Sequence, residues 1–193
     1  MGARAGGAAE CHAQGHRPCT AGNVSMDRGN ANSGERRDRP MTLRRWLKST
    51  SNRTFIVYPV GVILFELAVN GGSLTIAPLG IPLLVWGYAQ YHLVGRYRTK
   101  LGGGGPGLEV PPDRIVDQGP YRFVRNPMYL GHLIFMLGLA VTFWSLAGLA
   151  LLAFHVFWFH QRVLRDEARL EARFGQAYVD YKARVKRWIP GVI

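Results

Sequence analysis

Between Gly119 and Gly131 the chain reads Gly-Pro-Tyr-Arg-Phe-Val-Arg-Asn-Pro-Met-Tyr-Leu-Gly, directly before an apolar run that opens with Leu133, Ile134 and Phe135. Arg122 and Arg125 bring guanidinium forks that pair with carboxylates and phosphates. Tyr121 and Tyr129 add aromatic faces and hydroxyls beside them. A flank that only orients a membrane helix needs no more than a few Lys or Arg, so this density marks the junction as a functional one. A second group of ionisable side chains, Arg165, Asp166, Glu167, Arg169 and Glu171, follows later in the chain. Like charges four residues apart are the pattern of a solvated helix face. Tyr178, Tyr181 and Trp188 continue it in the manner of an amphipathic interfacial helix.

Other chemistries are poorly supported. Cys11 and Cys19 are the two cysteines, and neither they nor His12 and His16 have the spacing of a disulfide framework or a metal-ligand set. No metal site is expected. His155 reads as a packed, hydrogen-bonded histidine. The glycines at 102–105 and 107 lack the Gly-Lys-Ser/Thr ending of a phosphate loop and read, with Pro111 and Pro112, as a flexible linker.

The elements that must position these groups follow from the hydropathy pattern. A formal charge of +12 and a pI near 10.4 suggest a polyanionic partner, yet 48% of the 193 residues are hydrophobic and lie in long runs. Lys and Arg flank those runs and almost never enter them, so the charge faces an anionic leaflet rather than nucleic acid. Residues 1–40 hold almost no large apolar side chains and are expected to be disordered. They also lack a signal-peptide core. Met41-Thr42-Leu43-Arg44-Arg45 resembles a membrane-protein start, so the expected domain is 41–193.

Four spans are predicted. The first runs from Phe55 to Val69 and carries Pro59 and Glu66; Glu66, a turn from the helix end, reaches interfacial water or serves a functional role. The second runs from Leu74 to Val94, with kinks expected at Pro78 and Pro82. Asn70 to Ser73 joins the two as a tight turn. From Tyr129 to Leu164 the apolar stretch is too long for one span and is split near Thr142 to Ser145. Neither turn holds Lys or Arg, whereas the other flanks hold nearly all of them, which puts both termini and the central loop in the cytosol. The expected fold is an all-α integral membrane protein: two helical hairpins and a cytosolic C-terminal helical segment that breaks at Gly175.

Gly119-Pro120-Tyr121, then Arg125-Asn126-Pro127-x-Tyr129-x-Gly131, and after one hairpin Asp166-Glu167-x-x-Leu170-x-x-x-Phe174-Gly175-x-x-Tyr178-x-x-Tyr181-x-x-Arg184-Val185, resembles the isoprenylcysteine carboxyl methyltransferase and phospholipid methyltransferase superfamily. The likeness runs from about Ile115 to Pro190. It implies a membrane enzyme that takes S-adenosylmethionine from the cytosol and methylates a lipophilic or lipidated acceptor from the bilayer, either a carboxylate or an amine. Tyr121, Arg125, Asn126, Tyr129, Gly131 and Glu167 would bind the cosubstrate. Arg125, Arg184 and Glu167 would carry the catalytic roles. Asn126 stands where the family has His, and Asp166 where it has the first of two Glu. The competing readings are a nicotinamide-dependent membrane lipid reductase and a non-catalytic membrane scaffold or transport subunit.

Overall fold

The computed structural model describes residues 43–105 and 107–188; the predicted tail lies outside them. Six α-helices follow in order: α1 (Leu43–Lys48), α2 (Thr50–Val69), α3 (Ile81–Gly102), α4 (Pro127–Phe143), α5 (Leu146–Phe174) and α6 (Gln176–Arg184). Among the described residues there is no strand, only one isolated parallel bridge between Val124 and Lys186.

Two helices, α2 and α5, are long and apolar enough to cross a membrane, and α4 is a shorter apolar helix. Their outward faces are apolar. Ile56, Val60 and Leu64 on α2, and Leu149, Phe154 and Phe157 on α5, are exposed. Contiguous apolar surface of this kind marks contact with lipid or a partner. Helix α2 begins at Thr50, earlier than the hydropathy run, and includes a π-helical stretch, Arg53–Val57, just before Pro59. Widening the ladder there accommodates a residue that has no N–H to give.

The prolines of the second run act differently from expectation. Residues 74–77 are not helical; Ala77 donates to the Thr142 carbonyl at 2.7 Å, and a 3-10 turn, Pro78–Gly80, leads into α3. Pro82 then lies in the first turn of α3, where a missing N–H leaves no bond unmade. Both prolines open the helix instead of kinking it. At its other end α3 continues past Val94 to Gly102, so Arg96, Arg98 and Lys100 extend from the apolar body as helix.

Helices α4 and α5 divide at Trp144 and Ser145, where Ser145 caps α5 through Gly148 N at 3.0 Å. A left-handed Gly175 (φ 57°) separates α5 from α6. Close contact of α3 with α4 rests on glycines. A Cβ on Gly131 would lie 3.0 Å from Gly87 O and from Tyr91 N, and one on Gly138 would lie 2.7 Å from Leu84 N. Small residues at such crossings let helix backbones approach within a membrane, where apolar burial gives little drive.

The glycine-rich segment is not a slack linker. Arg98 Nη2 donates to the carbonyls of Gly105 (2.7 Å), Gly107 (2.6 Å) and Val110 (3.0 Å). Glu109 accepts from Thr50 N at 3.1 Å and Thr50 Oγ1 at 2.9 Å. On the far side Arg173 donates to Pro112 O at 3.1 Å. Residues 107–112 therefore form a strap fixed to three helices. Glu66 is also buried, and its carboxylate accepts from the Asn70 amide at 3.0 Å at the turn-side end of α2. His155 packs as predicted, with Nδ1 on Leu151 O and Nε2 on the Tyr58 hydroxyl.

Candidate active site

Four segments build the site. A 3-10 turn, Gly119–Arg122, buries Tyr121 and passes Arg125 and Asn126 to the start of α4, where Pro127 occupies the first turn. Asp166 and Glu167 come from α5. The chain after α6 returns through the Val124 to Lys186 bridge, where Arg125 N donates to Lys186 O at 2.9 Å. That register delivers Arg187.

Glu167 is the hub, with a side chain only 5% exposed. Arg187 meets it in a fork: Nε lies 3.1 Å from Oε1, and Nη2 lies 2.9 Å from Oε2. Arg125 Nε sits 3.3 Å from Oε1 but is not aligned as a hydrogen bond, and the Arg125 Nη1 donates to Lys182 O at 3.3 Å. Asn126 Nδ2 donates to Glu167 Oε1 at 3.3 Å. The carboxylate is thus compensated by two guanidinium groups and an amide, the arrangement a buried charge requires. Hydrogen bonding to Glu167 in turn raises the Arg187 pKa above its usual value.

Asp166, its sequence neighbour, faces a different set. Tyr129 donates its hydroxyl to Oδ2 at 2.7 Å, and Arg169 Nη1 lies 3.5 Å from Oδ1. Beside these groups is a cavity of about 240 Å³, walled by Arg98, Tyr121, Asn126, Tyr129 and Asp166 and roofed by residues 108–112 of the strap. A smaller space of about 60 Å³ adjoins it and reaches Glu167, Tyr178 and Tyr181. Ligand pockets commonly run to about 300–1,000 Å³, and the cavity with its adjoining space reaches the lower end of that range.

Of the residues singled out from sequence, Tyr121, Arg125, Asn126, Tyr129 and Glu167 converge here. Gly131 does not; it lies in the α3 to α4 crossing. Arg184 does not either. Its side chain is 69% exposed, with Nη2 3.9 Å from Asp117 Oδ2. Arg187 holds the position at Glu167. Its only sequence signal is a basic pair with Lys186 before Trp188, indistinguishable by type from Arg184 three residues earlier.

Three tyrosines make the lower wall. Tyr181 donates to Tyr121 O at 2.8 Å. Burial raises the Tyr121 phenol to about 12. Tyr178 and Tyr181 are raised too, first by burial, then by the Glu167 charge for Tyr178 and by Tyr178 itself for Tyr181. For groups whose folded pKa exceeds the unfolded value near 10, stability is fully present below pH 10 and is lost as pH rises toward 12 and beyond. Denaturant unfolding at pH 9 and pH 11.5 is expected to show a lower midpoint at the higher pH. Substitution of all three by Phe should flatten that difference.

A sequence profile described as phospholipid methyltransferase matches residues 73–177, more than half of the chain. The chain is 35% identical over 78 residues to a protein-S-isoprenylcysteine O-methyltransferase of Schizosaccharomyces pombe, covering 39% of this chain and 33% of that protein. It is 33% identical over 82 residues to protein-S-isoprenylcysteine O-methyltransferase B of Arabidopsis thaliana, covering 41% of each. An uncharacterised Haemophilus influenzae protein is 38% identical over 65 residues, the whole of that protein and 32% of this chain. The matches thus span about a third and two-fifths of the two named methyltransferases. The profile match runs from the α2–α3 connection into α6, takes in Arg125, Asn126, Asp166 and Glu167 and ends before Arg187, and the chain belongs to the phospholipid methyltransferase family.

Proposed function

We propose that the protein is an integral membrane methyltransferase that uses S-adenosylmethionine to methylate a lipophilic acceptor at the cytosolic face. The observation that carries this reading is the buried Glu167 cluster, set beside a cavity where the basic loop enters the apolar helices. Four spans, α2 to α5, with both termini cytosolic agree with the basic flanks and with the exposed apolar faces of α2 and α5.

The donor set suits such a cosubstrate. Its ammonium group calls for a carboxylate, supplied by Asp166 or Glu167, and its carboxylate calls for a guanidinium. The rings of Tyr121 and Tyr129 border the cavity, and an aromatic face attracts a cation such as a sulfonium. S-adenosylmethionine supplies a methyl group on a positively charged sulfur, ready for in-line displacement by the acceptor. The chain's part is to position the two partners and exclude water, with no covalent enzyme intermediate. Asn126 keeps a donor amide where the family has His, and here it orients Glu167.

A carboxylate acceptor needs no base. For an amine acceptor the released proton goes to Asp166, which is the more exposed of the two acids and whose guanidinium partners, Arg162 and Arg169, stand at 3.9 and 3.5 Å, whereas Arg187 forks onto Glu167 at 2.9 Å. The names of the two methyltransferase relatives specify an isoprenylcysteine; a lipidated acceptor of that kind fits a reaction centre at the mouth of apolar helices.

S-adenosylmethionine should raise the thermal midpoint of the detergent-solubilised protein in a concentration-dependent way, as any ligand of the folded state does. A nicotinamide dinucleotide should not. Protection by the dinucleotide alone would replace this reading with that of a reductase.

A further inference from the structure

Arg98 is a buried cation that the cluster at Glu167 does not use. It lies in the last turns of α3, is 9% exposed, and borders both the 240 Å³ cavity and its smaller neighbour. Its Nη2 is occupied by the strap carbonyls. Its Nε is buried without a hydrogen-bond partner. No ion pair among the described residues includes it. The other arginines of the cavity wall do have carboxylates: Glu167 for Arg125, Asp166 for Arg169 and Asp113 for Arg173. A guanidinium is always protonated, and a buried charge with no counter-charge is strongly unfavourable.

We propose that Arg98 receives the carboxylate at the amino-acid end of the methyl donor, a role for which the sequence resemblance offers Arg125 and Arg184. This rests on the methyltransferase reading and deepens it. Arg125 lies against Glu167, whose charge repels a second carboxylate. Arg98 lines both cavities and offers a guanidinium with no carboxylate partner and an unused Nε. Because the same side chain pins the strap through Gly107 and Val110, a carboxylate bound there also steadies the roof over the nucleoside.

The competing role is purely structural: Arg98 clamps the strap and touches no ligand. Binding of S-adenosylmethionine and of decarboxylated S-adenosylmethionine to the full-length protein in micelles separates the two, since these probes differ only in the carboxylate. Wild type is expected to prefer the carboxylated form. Arg98→Met should lose about ten- to hundredfold in affinity for S-adenosylmethionine, the range of charge-assisted hydrogen bonds, with little change for the decarboxylated form. Arg98→Lys, which keeps the charge, should restore part of the preference and serves if the Met variant fails to fold. Equal losses for both probes overturn the proposal in favour of the clamp. A preference that disappears in Arg125→Met and persists in Arg98→Met also overturns it. Wild type that binds neither probe removes the methyltransferase reading itself, and this inference with it.

Discussion

Glu167→Gln is expected to abolish measurable methyl transfer and to lower stability together. The substitution keeps the shape and removes the charge that Arg125 and Arg187 share. Two guanidinium groups, with side chains 9% and 22% exposed, would then face each other across a neutral amide. Removing one partner of a buried ion pair costs about 3–5 kcal/mol. Loss of about 3 kcal/mol at the cosubstrate's site corresponds to roughly a hundredfold. Asp166→Asn provides the contrast. Asp166 is 29% exposed and holds the Tyr129 hydroxyl, so its loss should affect turnover while leaving the unfolding free energy within about 1 kcal/mol of wild type, the usual net worth of one hydrogen bond. Kinetics and thermal unfolding of the two variants distinguish the hub from its neighbour.

The second large effect lies away from the cavity. Gly131→Leu should leave little folded protein, because Cβ alone meets Gly87 O and Tyr91 N at 3.0 Å and the rest of the side chain has no room between two backbones. Overpacking a tight core typically costs about 1–3 kcal/mol; here the obstruction is main chain, which has no rotamer to yield, so the upper end or more is expected. Gly131→Ala should be milder, with a lower thermal midpoint and S-adenosylmethionine affinity close to wild type in the folded fraction. A Gly131→Ala protein that unfolds normally but no longer binds the nucleoside would return this glycine to the cosubstrate site.

That contrast shows what the sequence can and cannot convey. Tyr121, Arg125, Asn126 and Tyr129 were legible because unusual residue types crowd one loop at a membrane edge, whereas Asp166 and Glu167 stood out only through the family resemblance, since by pattern they belong to a solvated helix face. Gly131 shares that loop's pattern but answers to a neighbour 44 positions away, Gly87, which no local spacing reveals. Arg187 was hidden for a related reason. Arg184, Lys186 and Arg187 look alike as a basic run, and only the pairing of Val124 with Lys186 turns one of them inward. The glycine run reads as slack because the groups that order it are backbone carbonyls, which have no signature in residue type; their partner, Arg98, lies on the preceding helix. The prolines at 78 and 82 were misplaced for want of the hydrogen bond from Ala77 to Thr142, which holds the approach to α3 extended. Helix breaks at Thr142 to Ser145 and at Gly175 could be read, since both depend on local chemistry.

The Glu167 cluster is proposed to serve methyl transfer to a lipophilic acceptor. Incubating the purified full-length protein with methyl-labelled S-adenosylmethionine and a membrane lipid extract supplemented with isoprenylcysteine tests it most directly. Label should enter the organic phase with wild type and fall at least about a hundredfold with Glu167→Gln, in line with the interaction lost. No incorporation by wild type across these acceptors, or undiminished incorporation by a folded Glu167→Gln protein, would contradict the account.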